Sequence, residues 1–164
     1  MSLTKLYASR IDLKSENRIQ LIDLLNLALA LTIDLKSQVK QAHWNVKGMS
    51  FLELHQLFDA IAEQLDEYVD MIAERVTALG GVALGTVRIV AQASTLSEYP
   101  LEAISGRDCV IAIADRLALY GKTVREAIDQ STDLKDAGTA DLYTEISRTI
   151  DKYLWLLESH LIEN

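Results

Sequence analysis

Five residues define the chemistry open to this chain: His43, His55, Asp59, Asp70 and Glu74. They follow the spacing His-x11-His-x3-Asp-x10-Asp-x3-Glu. His55 and Asp59 are four residues apart, as are Asp70 and Glu74, so on a helix each pair shares a face. From Asp59 to Asp70 is almost three whole turns, which puts both pairs on one stripe, about 16 Å apart along the axis. No single metal bridges that distance. The two pairs are nonetheless symmetric about a point between Gln64 and Leu65. An antiparallel second copy of the helix, related by a twofold axis there, sets His55 and Asp59 against the other copy's Asp70 and Glu74. Two equivalent sites result, and His43, at the end of the preceding helix, closes each. Two imidazoles with three carboxylates suit ferrous iron, with zinc, manganese or cobalt able to compete. Taken singly, carboxylates at helical spacing read as solvated helix surface and an isolated histidine as a hydrogen-bonded packing residue. It is the joint symmetry that points to a metal.

Such a stripe needs long helices, and the sequence predicts them. From about Ser15 the apolar residues Ile19, Ile22, Leu25, Leu29 and Ile33 recur at helical spacing to roughly Val46, before Lys47-Gly48. Ser50 and Glu53 have capping-box spacing at the start of a second helix. That helix, which carries the stripe, ends at Leu79 before Gly80-Gly81. Residues 82–100 are the least regular, with room for a short helix. A third helix is expected from about Ser105 to Gln130, with Ser105 as cap and Asp108 as its third residue. A polar link through Asp133, Asp136 and Gly138 leads to a fourth, about Thr139 to His160. Four long helices with one long crossover describe an all-α four-helix bundle. Residues 1–14 read as a flexible N-terminal segment and 15–164 as one domain.

The composition agrees. Hydrophobic residues make up 49% of 164, with one proline, Pro100, and seven glycines, so turn signals are few. The single cysteine, Cys109, sits in an apolar run and reads as a small buried hydrophobe. No basic, then apolar leader opens the chain and no apolar run is long enough for a bilayer, which points to a cytoplasmic protein without membrane contact. A net charge of −8 disfavours generic nucleic-acid binding and suits attraction of cations. The Glu-x-x-His spacing with which di-iron bundles build a site inside one chain occurs nowhere.

Several stretches resemble the Dps family, the mini-ferritins also called DNA-binding proteins from starved cells. They are Lys40-Gln41-Ala42-His43-Trp44-Asn45-Val46-Lys47-Gly48, Leu54 to Asp59, Leu65 to Arg75, Ala78 to Gly81 and Asp151-Lys152-Tyr153-Leu154-Trp155. The resemblance covers about residues 15 to 160. It implies a ferritin-like bundle assembled as a hollow homo-dodecamer of tetrahedral symmetry. It also implies that His43, His55 and Asp59 from one subunit meet Asp70 and Glu74 from its twofold mate. There the family oxidises ferrous iron, usually preferring hydrogen peroxide to dioxygen, and stores ferric mineral inside. Trp44 is similar to tryptophans thought to intercept stray oxidising equivalents, with interface packing as the alternative. Asp136 and Asp141 match acidic positions lining iron pores at threefold axes, with capping of the fourth helix as a compatible role. Glu63 and Glu67 read as mineral-nucleating or as a solvated face, and His160 as a surface residue. DNA binding is doubtful. Family members that coat DNA often carry a Lys/Arg-rich tail, whereas residues 1–18 hold Lys5, Arg10, Lys14 and Arg18 against Asp12 and Glu16. A DNA-compacting protein of the same fold is the alternative reading.

Overall fold

The computed structural model describes residues 5–162. Five helices follow in order: α1 (Ser15–Asn45), α2 (Phe51–Ala78), α3 (Val87–Ala93), α4 (Gly106–Asp133) and α5 (Ala137–Glu158). The four long ones form the expected bundle, and α3 is the short helix in the crossover. Residues 1–4 of the N-terminal segment and 163–164 of the domain lie outside the described residues. Among the described residues no helix is long and apolar enough to cross a membrane.

The pairing of helices follows from contacts that run along them in opposite senses. Between α1 and α2, Asn26 meets Val82 just past the helix end, Lys36 meets Asp66 and Lys40 meets Asp59. Between α1 and α4, Thr32 meets Tyr120 and Gln38 meets Arg116. Between α2 and α5, Tyr68 meets Thr149 and Arg75 meets Thr139. Each of these neighbours is therefore antiparallel, so α2 and α4 run the same way and only a long crossover can join them. The core between them is Leu- and Ile-rich, with Phe58, Tyr68, Tyr120 and Tyr143 fully buried. Cys109 is buried, as expected, and its thiol donates to the Ala103 carbonyl at 3.3 Å.

Helix ends decide where the stripe on α2 begins and stops. At its C-terminus Gly80 takes φ +89°, its N–H bonds the Thr77 carbonyl, and Gly81 N–H bonds the Val76 carbonyl. This is a Schellman motif, which a left-handed glycine makes easy. Gly80 has a second constraint, because a Cβ there would lie 2.5 Å from the Tyr7 carbonyl oxygen. At the N-terminus the predicted capping box does not form. Ser50 has φ −95° and ψ 28° and makes no side-chain cap bond, because the box needs an extended N-cap residue to aim the hydroxyl at the helix. The cap predicted at Ser105 does form, with Ser105 extended, its oxygen accepting from Asp108 N–H at 3.2 Å and its hydroxyl donating to the Asp108 carboxylate at 2.6 Å. Helix α4 runs to Asp133, three residues past the expected end. Lys135 holds the left-handed position (φ 65°) of a second Schellman turn, closed by bonds from Lys135 N–H to Thr132 and from Asp136 N–H to Ser131.

Candidate metal centre

Two imidazoles lock the junction of α1 and α2. The Nδ1 of His43 is 2.8 Å from the His55 carbonyl oxygen, and the Nδ1 of His55 is 2.9 Å from the His43 carbonyl oxygen. A carbonyl can only accept, so each Nδ1 carries a hydrogen, which leaves Nε2 as the ring nitrogen not engaged by the backbone. Fixing the tautomer in this way is what a metal-binding histidine needs from its surroundings. The rings stack with centroids 3.8 Å apart, and Phe51 also stacks on His55 at 5.1 Å. His43 is buried and His55 half-buried.

Asp59 lies one turn beyond His55, with its carboxylate 3.9 Å from His43 Nδ1. Lys40 donates to it at 2.7 Å. That hydrogen bond, with smaller help from the charges of His43, Lys40 and His55, outweighs desolvation and holds the Asp59 carboxyl below its ordinary range. His43, His55 and Asp59 are thus brought together within one chain. Asp70 and Glu74 are not. Both are exposed on the same helix about three turns further on, and neither carboxylate has a hydrogen-bond or ion-pair partner among the described residues. Among the described residues no three His, Cys, Asp or Glu side chains converge as metal ligands do. One chain brings His43, His55 and Asp59 together and leaves Asp70 and Glu74 apart from them.

The remaining candidates separate clearly. Trp44 is 67% exposed beside His43, with Lys40 Nζ 5.9 Å from its ring centroid. Asp136 is buried, and its carboxylate accepts from Arg75 at 2.7 and 2.8 Å and from the Thr139 N–H at 3.2 Å. It is the cap of α5. Burial pushes its carboxyl up, but Arg75 and Thr139 more than compensate, so the pKa falls below the usual value. Its oxygens are committed inside its own chain, whereas Asp141 is exposed and lies in an open groove of about 410 Å³ with Glu74, Arg75 and Glu145. Glu63, Glu67 and His160 are all exposed. Two residues with a bearing on the site carried no role in the sequence. Lys40 stands three residues before His43, one turn down the same face, and that spacing was the available signal. The Arg75–Asp136 bond joins residues 61 apart, and no local pattern announces it.

The ferritin-like domain family matches residues 22–163. The DNA protection during starvation protein of Agrobacterium fabrum is 42% identical over 159 residues, spanning 97% of this chain and 98% of that protein. The chain belongs to the Dps family of ferritin-like proteins. Solved Dps structures superpose over nearly all of it. DpsC from Streptomyces coelicolor gives a TM-score of 0.92 at 30% identity, covering 97% of this chain and 93% of that one. The Dps protein from Vibrio cholerae O1, described as a member of a broad superfamily of ferritin-like diiron-carboxylate proteins, gives 0.88 at 25% identity, covering 95% and 98%. The membership places this Dps-family chain among iron-storage and DNA-protection proteins, with iron as the metal its superfamily handles.

Proposed function

We propose that the protein is a ferroxidase and iron store that works at sites shared between two subunits. The observation that carries this reading is the split of the ligand set. His43, His55 and Asp59 lie together with both Nδ1 atoms bonded to backbone carbonyls, while Asp70 and Glu74 stand bare on the same stripe of α2. Twofold pairing of α2 brings the partner subunit's Asp70 and Glu74 to that cluster, and does so twice. The nitrogen and oxygen donors suit ferrous iron, and zinc or another divalent ion competes for them.

Iron is the substrate. Two ferrous ions give one electron each, hydrogen peroxide takes both as its O–O bond breaks, and two protons complete two waters. Two ferric ions remain, and no hydroxyl radical is released. Dioxygen is the slower oxidant in this reading. The ferric product is stored as mineral inside a cytoplasmic, hollow homo-dodecamer, as the family resemblance implies. The acidic surface draws cations in, and Asp141, exposed and uncommitted, is the pore candidate carried forward. Trp44, beside His43, is placed to give up an electron to a stray oxidant. The DNA-compacting alternative has less support. Arg18 is buried, with its guanidinium on the Leu79 and Tyr7 carbonyls at 3.0 and 3.3 Å, and Lys5 lies over the Tyr7 ring at 4.9 Å. Those cations are occupied at the root of the tail.

The test is anaerobic ferrous iron mixed with peroxide, followed by ferric absorbance, for the wild type beside Asp70→Ala in equally assembled protein. Fast oxidation should fall to the uncatalysed rate in the variant, with its melting temperature unchanged because Asp70 is exposed and unpaired. Equal rates would sink the reading.

A further inference from the structure

Lys40 raises a question that the ligand set does not answer. Its ammonium sits 2.7 Å from Asp59 Oδ1, an oxygen the proposed site needs for metal. A protonated lysine has three hydrogens and no lone pair, so it cannot join the metal as a ligand. Lysine and a divalent cation must instead compete for one carboxylate. Within the single chain the pair is not closed off from water, since the side chains are 28% and 44% exposed, so the chain's own packing does not lock Lys40 onto Asp59. A second resting place is already within reach. The Trp44 ring centroid is 5.9 Å from Lys40 Nζ, inside cation–π range, and the two residues are four apart on α1, which keeps them neighbours.

We infer that Lys40 is a displaceable counter-ion of the metal site, holding Asp59 while metal is absent and swinging onto Trp44 when a divalent cation takes the carboxylate. The inference rests on the proposed metal site. Its consequence is a site that is pre-shaped when empty yet does not grip the first divalent ion it meets, because each ion has to expel a resident positive charge. The bland alternative is that Lys40 only staples α1 to α2, as Lys36 does through Asp66. The two roles differ in what they predict for binding. A staple, when removed, loosens the ligands and weakens metal affinity or leaves it unchanged. A competitor, when removed, strengthens it.

Zinc is the probe, because it binds the same donors without redox chemistry. The assembled protein would carry Trp155→Phe, so that Trp44 is its one remaining tryptophan, and would be titrated with zinc by calorimetry and by indole emission. Lys40→Met and Lys40→Arg would be compared in that background. Zinc should shift the Trp44 emission of the parent. Lys40→Met should bind zinc about five- to tenfold tighter, the effect of removing one like charge from a partly exposed site, and its emission should lose that response. Lys40→Arg, which keeps the charge, should stay within about twofold of the parent. Zinc binding by Lys40→Met that is equal to or weaker than the parent's overturns the counter-ion role while leaving the metal site standing. A parent that is fully assembled yet binds no zinc overturns both.

Discussion

The two ends of helix α2 hold chemically similar residues in opposite states. Near its start, His55 and Asp59 are held by α1: the imidazole by the His43 carbonyl and ring, the carboxylate by Lys40. Near its end, the Asp70 and Glu74 carboxylates have no hydrogen-bond or ion-pair partner among the described residues, although the neighbouring Arg75 is firmly bound to Asp136 and Thr139. The difference teaches that a folded chain can spend its own interactions on one group of candidate ligands and leave another bare, and in the proposed site the bare group serves a second copy. Groups held within the chain contribute to its stability. Groups left bare contribute only to the assembled site.

Substitutions along α2 should follow that division. The largest loss is expected where a charge is buried. Asp136→Ala leaves the Arg75 guanidinium facing a vacated position and removes the cap of α5, at a cost of about 2–4 kcal/mol in thermal or denaturant unfolding. It would also release a cation beside Glu74, so metal affinity should fall with stability. The pH dependence has a definite sign. Folding lowers the Asp136 pKa below its ordinary value of 3.8, so its contribution is fully present above that value and is lost as pH falls through the depressed folded one. The Ala variant should therefore lose less stability than the wild type on acidification in that window. A smaller loss is expected at the preassembled half-site. His43→Ala removes one of the two reciprocal bonds and the ring stack, for about 1–2 kcal/mol, together with fast iron oxidation. The smallest belongs to the bare end, where Asp70→Ala abolishes activity at no cost in stability. A clear destabilisation by Asp70→Ala would break the comparison.

Much of this was readable in the sequence because it depends on local spacing. The helices, the Gly80-Gly81 stop and the alignment of His55, Asp59, Asp70 and Glu74 all follow from the helical repeat. What was not readable depends on backbone angles or on pairs distant in the chain. Ser50 and Glu53 have the right letters for a capping box, but the turn through Gly48 leaves Ser50 out of the extended conformation. Lys135 occupies a left-handed position that sequence rules reserve for glycine or asparagine. The reciprocal histidine bonds run from ring to backbone across two helices, and side-chain patterns carry no trace of them. Asp136 shows the limit from the other side, since its acidic character suited a cap and a pore together, and its buried bond to Arg75 left no local signal.

The shared site is tested most directly by complementation. One chain would carry His43→Ala with His55→Ala, the other Asp70→Ala with Glu74→Ala, each inactive in peroxide-driven ferrous oxidation when assembled alone. Co-assembled from an equal mixture, half of the twofold pairs are mixed, and each mixed pair regains one intact site of its two. Activity should return to about a quarter of the wild-type rate if pairing is random. Mixed assemblies as inactive as either parent would contradict a site built from two chains.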